Sequence, residues 1–165
     1  MSDKMLVDRD IYLSFFMFTT NLKPDRPESV EVVIQHMKEL KKLGYTGFEF
    51  PIAPGKPEDY PQEIENYANL RCAMDDEELS DVPIATNVGT TERFDPSSHS
   101  EEVRQEALEY LKARVDITAA LRGEIMMGPL IVPYGYSTTS LWSDELQDEL
   151  ARRYTNAEPI LQELG

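Results

Sequence analysis

The stretch "LGYTGFEFPIAPG", residues 43–55, decides the fold and raises the first functional question. Phe48 to Ile52 form a short apolar run that follows a helical segment, as expected of a buried strand in an α/β protein. Glu49 lies inside that run, between two phenylalanines. A buried charge is costly unless it has a partner or lies at an opening. Glu49 therefore either faces a site or forms an ion pair with a Lys or Arg of a neighbouring strand.

The same alternation of strand and helix patterns extends in both directions along the chain. "IYLSFFMF" reads as the first buried strand, and "PESVEVVIQHMKELKKLG" has apolar residues at helical spacing. Ser98 with Glu101 predicts a capping box for the third helix, and Pro159 predicts a kink or restart in the fourth. The predicted strands are 11–18, 47–52, 82–89 and 124–132, and the predicted helices are 27–44, 63–74, 97–123 and one from Ser143.

Four successive strand–helix units predict an α/β fold with a parallel sheet and right-handed crossovers. Residues 1–165 are expected to form a single (βα)4 domain, since no linker or low-complexity segment interrupts them. A small doubly wound module of flavodoxin type would also suit this length. The sheet order separates the two, because the flavodoxin order places the first strand centrally, whereas a barrel keeps sequential strands adjacent.

Composition narrows the possible partners. The formal net charge is −15, from 16 Lys and Arg against 31 Asp and Glu, which disfavours binding to nucleic acid or to an acidic membrane surface. Cys72 is the single cysteine, so neither an intrachain disulfide nor a thiolate zinc cluster is expected. With no signal peptide pattern and no long apolar run, a cytoplasmic location is predicted.

The predicted carboxyl ends of the strands suggest a ligand rim. They read "FTTN", "EFPIAPG", "TNVGTTERFD" and "GPLIVPYGYSTT", which present hydroxyl, amide and aromatic groups suited to a small polar ligand. Loops commonly contain such residues for structural reasons as well. The glycine-rich phosphate motifs G-x-x-x-x-G-K-[ST] and G-x-G-x-x-G are absent, and structural roles are expected for His36 and His99.

Three segments carry a family resemblance: "GYTGFEF", "VGTTERFDPSSHSEEVRQEALEYLKARVDITAALRG" and "IMMGPLIVPYGY". They resemble the first half of a sugar isomerase/epimerase TIM barrel (xylose isomerase-like), and most closely the D-tagatose or D-psicose 3-epimerases. The resemblance implies carbohydrate metabolism and proton transfer at C3 of a ketose through an enediolate. It also implies a divalent metal such as Mn²⁺, whose ligands and whose two acid/base glutamates come from the fifth to eighth strands in that family.

The site residues that the resemblance implies in this chain all belong to the substrate rim. No catalytic residue and no metal ligand is carried over, so the isolated chain is expected to bind no metal and to be inactive. Tyr134 stands where a tryptophan is common in the epimerases, and Asn87 where a small apolar residue or cysteine occurs. The implied substrate-binding residues are Phe15, Phe16, Glu49, Asn87, Pro129 and Tyr134.

Half a barrel poses a physical problem, because four strands leave two open edges. An apolar inner face carried by Phe16, Phe50, Ile84 and Met127 is also expected. We therefore predict self-association, as a homodimer or other homo-oligomer that completes the barrel, or a rearranged four-stranded unit. Two functions follow: the substrate-rim half of a sugar isomerase, or a catalytically silent half-barrel whose main property is assembly.

Overall fold

Four strand–helix units build one parallel sheet with helices on one side. The computed structural model describes residues 11–15, 29–131, 133 and 143–164. The strands are β1 (Tyr12–Ser14), β2 (Gly47–Ile52), β3 (Ile84–Val88) and β4 (Ile125–Met127). The helices are α1 (Val30–Lys42), α2 (Tyr60–Asp76), α3 (Glu101–Ala120) and α4 (Asp144–Gln162), with 3₁₀ turns at Pro57–Asp59 and Glu92–Phe94.

The sheet order confirms the half-barrel and rejects the flavodoxin-like alternative. The strands run β1-β2-β3-β4, all parallel, so every sequential pair is adjacent and β1 lies at an edge. Tyr12 pairs with Gly47, and Phe48 pairs with Ile84. Because paired residues of parallel strands point to the same side, this register assigns each side chain to a face of the sheet.

The helix-covered face holds the core. Phe48, Phe50 and Ile84 are fully buried and belong to one cluster with side chains of the helices, among them Met37 of α1 and Leu111 of α3. The expectation that Phe50 and Ile84 lie on the barrel's inner face is therefore wrong. Side chains alternate along a strand, so Phe50 cannot share a face with its neighbour Glu49.

The opposite face is the inner one, and it is mixed in character. Ser14, Glu49 and Asn87 lie on it, with Ser14 and Asn87 toward the carboxyl ends of their strands and Glu49 in the middle of β2. Met127 pairs with Asn87 and lies there as predicted, 39% exposed, and Ile125 is 50% exposed. Phe16, the remaining residue predicted for this face, lies outside the described residues. The inner face is thus polar toward the rim, with an apolar edge strand.

Local signals fix most helix ends. After α1, Gly44 adopts φ +99°, its N–H donates to Lys41 O, and the N–H of Tyr45 donates to Leu40 O. This is a Schellman motif, which favours glycine at the left-handed position. Helix α3 is capped by Ser100, whose Oγ accepts from the N–H of Val103, and not by Ser98 as predicted. Ser98 Oγ instead accepts from the N–H of Ser100.

Helix α4 begins at its predicted cap and passes through Pro159 without a break. Ser143 Oγ accepts from the N–H of Leu146 at 3.2 Å. The predicted restart at Pro159 is wrong, because the helix continues to Gln162, whereas the kink stays a prediction. Ala157 and Ile160, on either side of the proline, are buried. Their packing offsets the one backbone hydrogen bond that proline cannot donate.

Side chains fasten α4 to the loop that follows β3. Arg153 Nη1 donates to Asp95 Oδ2 at 2.9 Å, and Asp95 Oδ1 accepts from the N–H of Ser97 at 2.8 Å. The imidazole of His99 lies 3.0 Å from Glu149 Oε1, which accords with a structural role for this histidine. Across the described helices, no segment is both long and apolar enough to cross a bilayer.

Candidate functional site

A cavity of about 600 Å³ opens where the carboxyl ends of all four strands meet. This volume lies in the range of small-molecule sites, and the location is the one at which parallel α/β sheets bind ligands. The predicted rim therefore exists as a concave surface. Its lining residues are Ser14, Glu49, Pro51, Pro54, Asn87, Gly89, Thr90, Thr91, Gly128 and Pro129.

Glu49 lies at the centre of the polar wall, held by neighbours on both sides. The Oγ of Ser14 donates to Glu49 Oε1 at 2.7 Å, and Nδ2 of Asn87 donates to the same oxygen at 3.1 Å. The register places Ser14 beside Glu49 on one strand and Asn87 near it on the other. Two hydrogen bonds from neutral donors help to offset the desolvation of a half-buried carboxylate.

This arrangement answers the question of whether Glu49 forms an ion pair. Within residues 11–15, 29–131, 133 and 143–164, no Lys or Arg pairs with it. Both hydrogen bonds converge on Oε1, and no described residue donates to Oε2. Glu49 therefore presents an acceptor oxygen toward the cavity that it lines.

In the cavity wall formed by the ends of the third and fourth strands, Thr90 is hydrogen-bonded to the backbone of Pro129. Thr90 is fully buried, and both its Oγ1 and its N–H donate to the carbonyl oxygen of Pro129, at 2.7 and 3.2 Å. Gly128 adopts φ +130°, and a Cβ there would lie 2.1 Å from Val88 O. Only glycine fits this close approach between chain segments.

The structure brings together half of the residues implied for substrate binding. Glu49, Asn87 and Pro129 line the cavity. Phe15 does not, because it is fully buried with its ring centroid 5.6 Å from that of Phe48 and 5.0 Å from that of Phe50. Phe16 and Tyr134 lie outside the described residues.

Ser14 is the main residue that the sequence reasoning missed. A signal for it existed, since Ser14 interrupts the apolar run "IYLSFFMF" just as Glu49 interrupts "GFEFPI". Phe15 of the same run, which the family resemblance implies for substrate binding, belongs to the core. Polar interruptions in two adjacent buried strands would have identified the hydrogen-bonded pair.

The described residues around the cavity do not fit a divalent cation. Such an ion takes several oxygen or nitrogen ligands, and carboxylates are its preferred anionic donors. Among the described lining residues, Glu49 is the one carboxylate. Nor does the described part of the chain hold a group of three His, Cys, Asp or Glu side chains that could bind a metal.

Comparison with known proteins supplies the family context. The family model of the xylose isomerase-like TIM barrel matches residues 37–165. No curated protein matches the sequence. Among solved structures, one from Anabaena variabilis ATCC 29413, described as a sugar phosphate isomerase/epimerase, is 60% identical with a TM-score of 0.87. The match covers 96% of this chain and 50% of that one.

More distant structures share the fold at low sequence identity. D-psicose 3-epimerase from Clostridium cellulolyticum H10, solved with D-tagatose, is 10% identical with a TM-score of 0.62, covering 93% of this chain and 48% of that one. An L-ribulose 3-epimerase is 17% identical with a TM-score of 0.57, covering 91% and 46%. The chain thus spans about half the length of the solved structures it matches.

Proposed function

The chain belongs to the xylose isomerase-like TIM barrel family, and on that premise we propose that its cavity binds an uncharged sugar. In this proposal the chain supplies the substrate-contacting half of a sugar isomerase or epimerase site. The observation that carries it is Glu49, held by Ser14 and Asn87 in a cavity that all four strand ends line.

The chemistry of the lining suits sugar hydroxyl groups. Glu49 Oε2 can accept a hydrogen bond from a hydroxyl, and a charge-assisted bond of this kind is roughly twice as strong as a neutral one. Prolines at 51, 54 and 129 offer apolar surface to the C–H groups of a sugar. No lysine or arginine occurs among the described lining residues, so a carboxylate faces the ligand here and would repel a phosphate group.

The finer proposal is ketose 3-epimerisation, in which a proton leaves C3 and returns to the opposite face through an enediolate. This chain's described residues would bind and orient the sugar, but they do not provide the paired acid/base carboxylates that the reaction needs. We therefore propose that the chain alone binds sugar without turning it over.

The test combines metal analysis with epimerisation assays on the fructose/psicose and tagatose/sorbose pairs. We expect sugar binding in an isothermal titration, less than stoichiometric metal and no turnover by the 165-residue chain. Stoichiometric metal together with turnover would overturn the view that this half is silent by itself. Absence of binding for all four sugars would overturn the sugar-site proposal.

Replacing Glu49 with glutamine tests the role of its charge. The amide oxygen of glutamine can still accept from Ser14 and Asn87, so we expect the free energy of unfolding to change by less than about 1 kcal/mol. Binding of D-fructose or D-psicose should weaken by roughly tenfold, because the charge-assisted hydrogen bond is lost.

The matched control is Glu158→Gln, which removes one exposed carboxylate on α4 without touching the cavity. It should leave sugar affinity unchanged. If Glu49→Gln lowers stability while affinity stays the same, Glu49 is a structural residue and the proposal for it fails.

A second candidate function is assembly, which the edge strand β4 favours. Ile125 and Met127 are exposed on the inner face, and β4 has a strand neighbour on one side within the described sheet. Unpaired strand edges and exposed apolar side chains promote association. We propose that a second copy of the chain covers them in a homodimer that closes the sheet edges.

Sedimentation at two ionic strengths measures this assembly. Two chains of net charge −15 repel each other, so the dimer should be weaker at about 0.01 M salt than at about 1 M, where the Debye length falls from roughly 30 to 3 Å. Ile125→Lys should abolish dimerisation, whereas Leu43→Lys, at an exposed apolar residue after α1, should not. A monomer at high concentration that binds no apolar dye would contradict the proposal.

A further inference from the structure

A buried polar cluster lies directly behind the cavity walls, and none of its members lines the cavity. Its central residue is Arg114 of α3, which is fully buried and is the largest fully buried side chain of the described residues. Burying a guanidinium costs several kcal/mol before its partners are counted, and well-packed apolar side chains often stabilise a core as well. Because a buried charge needs well-placed partners, the contacts of Arg114 fix the positions of the groups around it.

Arg114 holds the loop that follows β2. Its Nη1 donates to the carbonyl oxygen of Ala53 at 2.7 Å, and its Nη2 forms an ion pair with the carboxylate of Glu63. The guanidinium also lies between two aromatic rings, 4.8 Å from the centroid of Tyr60 and 4.9 Å from that of Tyr110. These rings restrict the plane in which the guanidinium can donate.

The carboxylate of Glu63 contacts the same loop two residues further on, at Gly55. A Cβ on Gly55 would lie 2.1 Å from Glu63 Oε1, so the carboxylate is in close contact with the Gly55 backbone. The loop is therefore hydrogen-bonded at Ala53 by Arg114 and in contact at Gly55 with Glu63. Pro54, between these two points, lines the cavity.

Tyr110, one turn before Arg114 on α3, contacts the cavity wall that follows β3. Its hydroxyl donates to the carbonyl oxygen of Gly89 at 2.8 Å, and its ring stacks on Phe94 with centroids 4.5 Å apart. Burial raises the pKa of Tyr110 to about 12, partly opposed by the nearby charge of Arg114, so the hydroxyl remains a donor at neutral pH. Gly89 lines the cavity beside Thr90.

We propose that Glu63, Tyr110 and Arg114 form a bracket that sets the distance between the Pro54 and Gly89 walls and thereby determines which sugars fit. They are positioning residues, since they act through the loop backbone and do not touch the ligand. The ligand side of this inference rests on the proposed sugar site, whereas the bracket itself can be tested without any ligand.

Two conservative substitutions separate the bracket from general core packing. Tyr110→Phe keeps the ring and removes the donor to Gly89, and Arg114→Lys keeps the charge and removes the forked pair of donors. The matched control is Arg71→Lys on α2. Arg71 is also buried, donates to the carbonyl oxygen of Ser80 and pairs with Asp75, but it does not line the cavity.

The first readout is amide hydrogen exchange in residues 53–57, where Ala53, Gly55 and Lys56 carry the exchangeable amides, and in residues 89–91. We expect exchange in 53–57 to accelerate about fivefold to tenfold in Arg114→Lys, and exchange in 89–91 by a similar factor in Tyr110→Phe. Arg71→Lys should leave the exchange rates of both segments unchanged, even if it lowers the melting temperature as much as the bracket variants do. Unchanged exchange in both bracket variants, or equal acceleration in the control, would overturn the bracket.

The second readout is the ratio of dissociation constants for D-fructose and D-psicose. If the bracket sets cavity shape, this ratio should change by about fivefold in the two bracket variants and remain at the wild-type value in Arg71→Lys. A wild-type ratio in both variants would overturn the specificity role. If the wild-type chain binds neither sugar, the proposed function fails, and the exchange experiment still decides the bracket.

Discussion

Replacing Phe50 with alanine should lower the free energy of unfolding by about 3–5 kcal/mol, the usual cost of deleting a fully buried phenyl ring. Phe50 is 0% exposed, packs against Phe15 at a centroid distance of 5.0 Å and belongs to the cluster between the sheet and the helices. Chemical denaturation followed by far-UV circular dichroism, at one fixed protein concentration, measures the change.

The matched control is Met127→Ala, because Met127 was expected to share a face with Phe50 and lies on the opposite one. Met127 is 39% exposed, so its truncation should cost less than about 1 kcal/mol of unfolding free energy. The same variant should weaken self-association. A small loss of unfolding free energy for Phe50→Ala, together with a large loss for Met127→Ala, would mean that Met127 and not Phe50 lies on the core face of the sheet.

The order of elements could be predicted from the sequence because it depends on local patterns. Strand β2 occupies the predicted residues 47–52. Helix α4 starts after Ser143, because the hydroxyl of a serine at this position accepts a hydrogen bond from the backbone N–H three residues later. Adjacent sequential strands were expected from the barrel resemblance, and the sheet has them. The bounds of β2 and the start of α4 need no knowledge of long-range contacts, whereas the strand adjacency rests on the resemblance.

The predicted assignment of side chains to the two faces of the sheet was wrong for Phe50 and Ile84, because both faces carry apolar residues. In β2, Phe48 and Phe50 alternate with Glu49 and Pro51, and the period of two already forbids placing Glu49 and Phe50 on one face. Apolar content alone does not identify the barrel interior. In a half-barrel the helix-covered face receives the largest side chains, while the rim end of the inner face takes polar ones.

The hydrogen-bond partners within the site depend on the register between strands, which cannot be read from the sequence of any one strand. The contact between Ser14 and Glu49 joins residues 35 positions apart, and Asn87 is 38 positions from Glu49. In the sequence of α3, nothing distinguishes the bracket residue Arg114 from the exposed polar residues of the same helix. Its burial follows from the approach of α2 to α3, which the amphipathic pattern of α3 alone does not specify.

Replacing Gly128 with alanine should destabilise the chain by about 2–6 kcal/mol, because two separate costs combine. A residue other than glycine at φ +130° is strained by about 1–3 kcal/mol. The added Cβ would also lie 2.1 Å from Val88 O and 2.9 Å from Val88 C, atoms of the neighbouring backbone, and overpacking typically costs about 1–3 kcal/mol more. Chemical denaturation again gives the magnitude.

The control that separates the two costs is Gly44→Ala. Gly44 also has a positive φ, +99°, but a Cβ there would meet nothing within 4 Å. Gly44→Ala should therefore show the conformational cost alone, and the excess loss in Gly128→Ala measures the clash. Because Gly128 lines the cavity, relief of that clash must move the β4 end away from Val88, and the D-fructose affinity should fall with it. Equal destabilisation by the two substitutions, with affinity retained, would mean that the approach of Gly128 to Val88 does not shape the site.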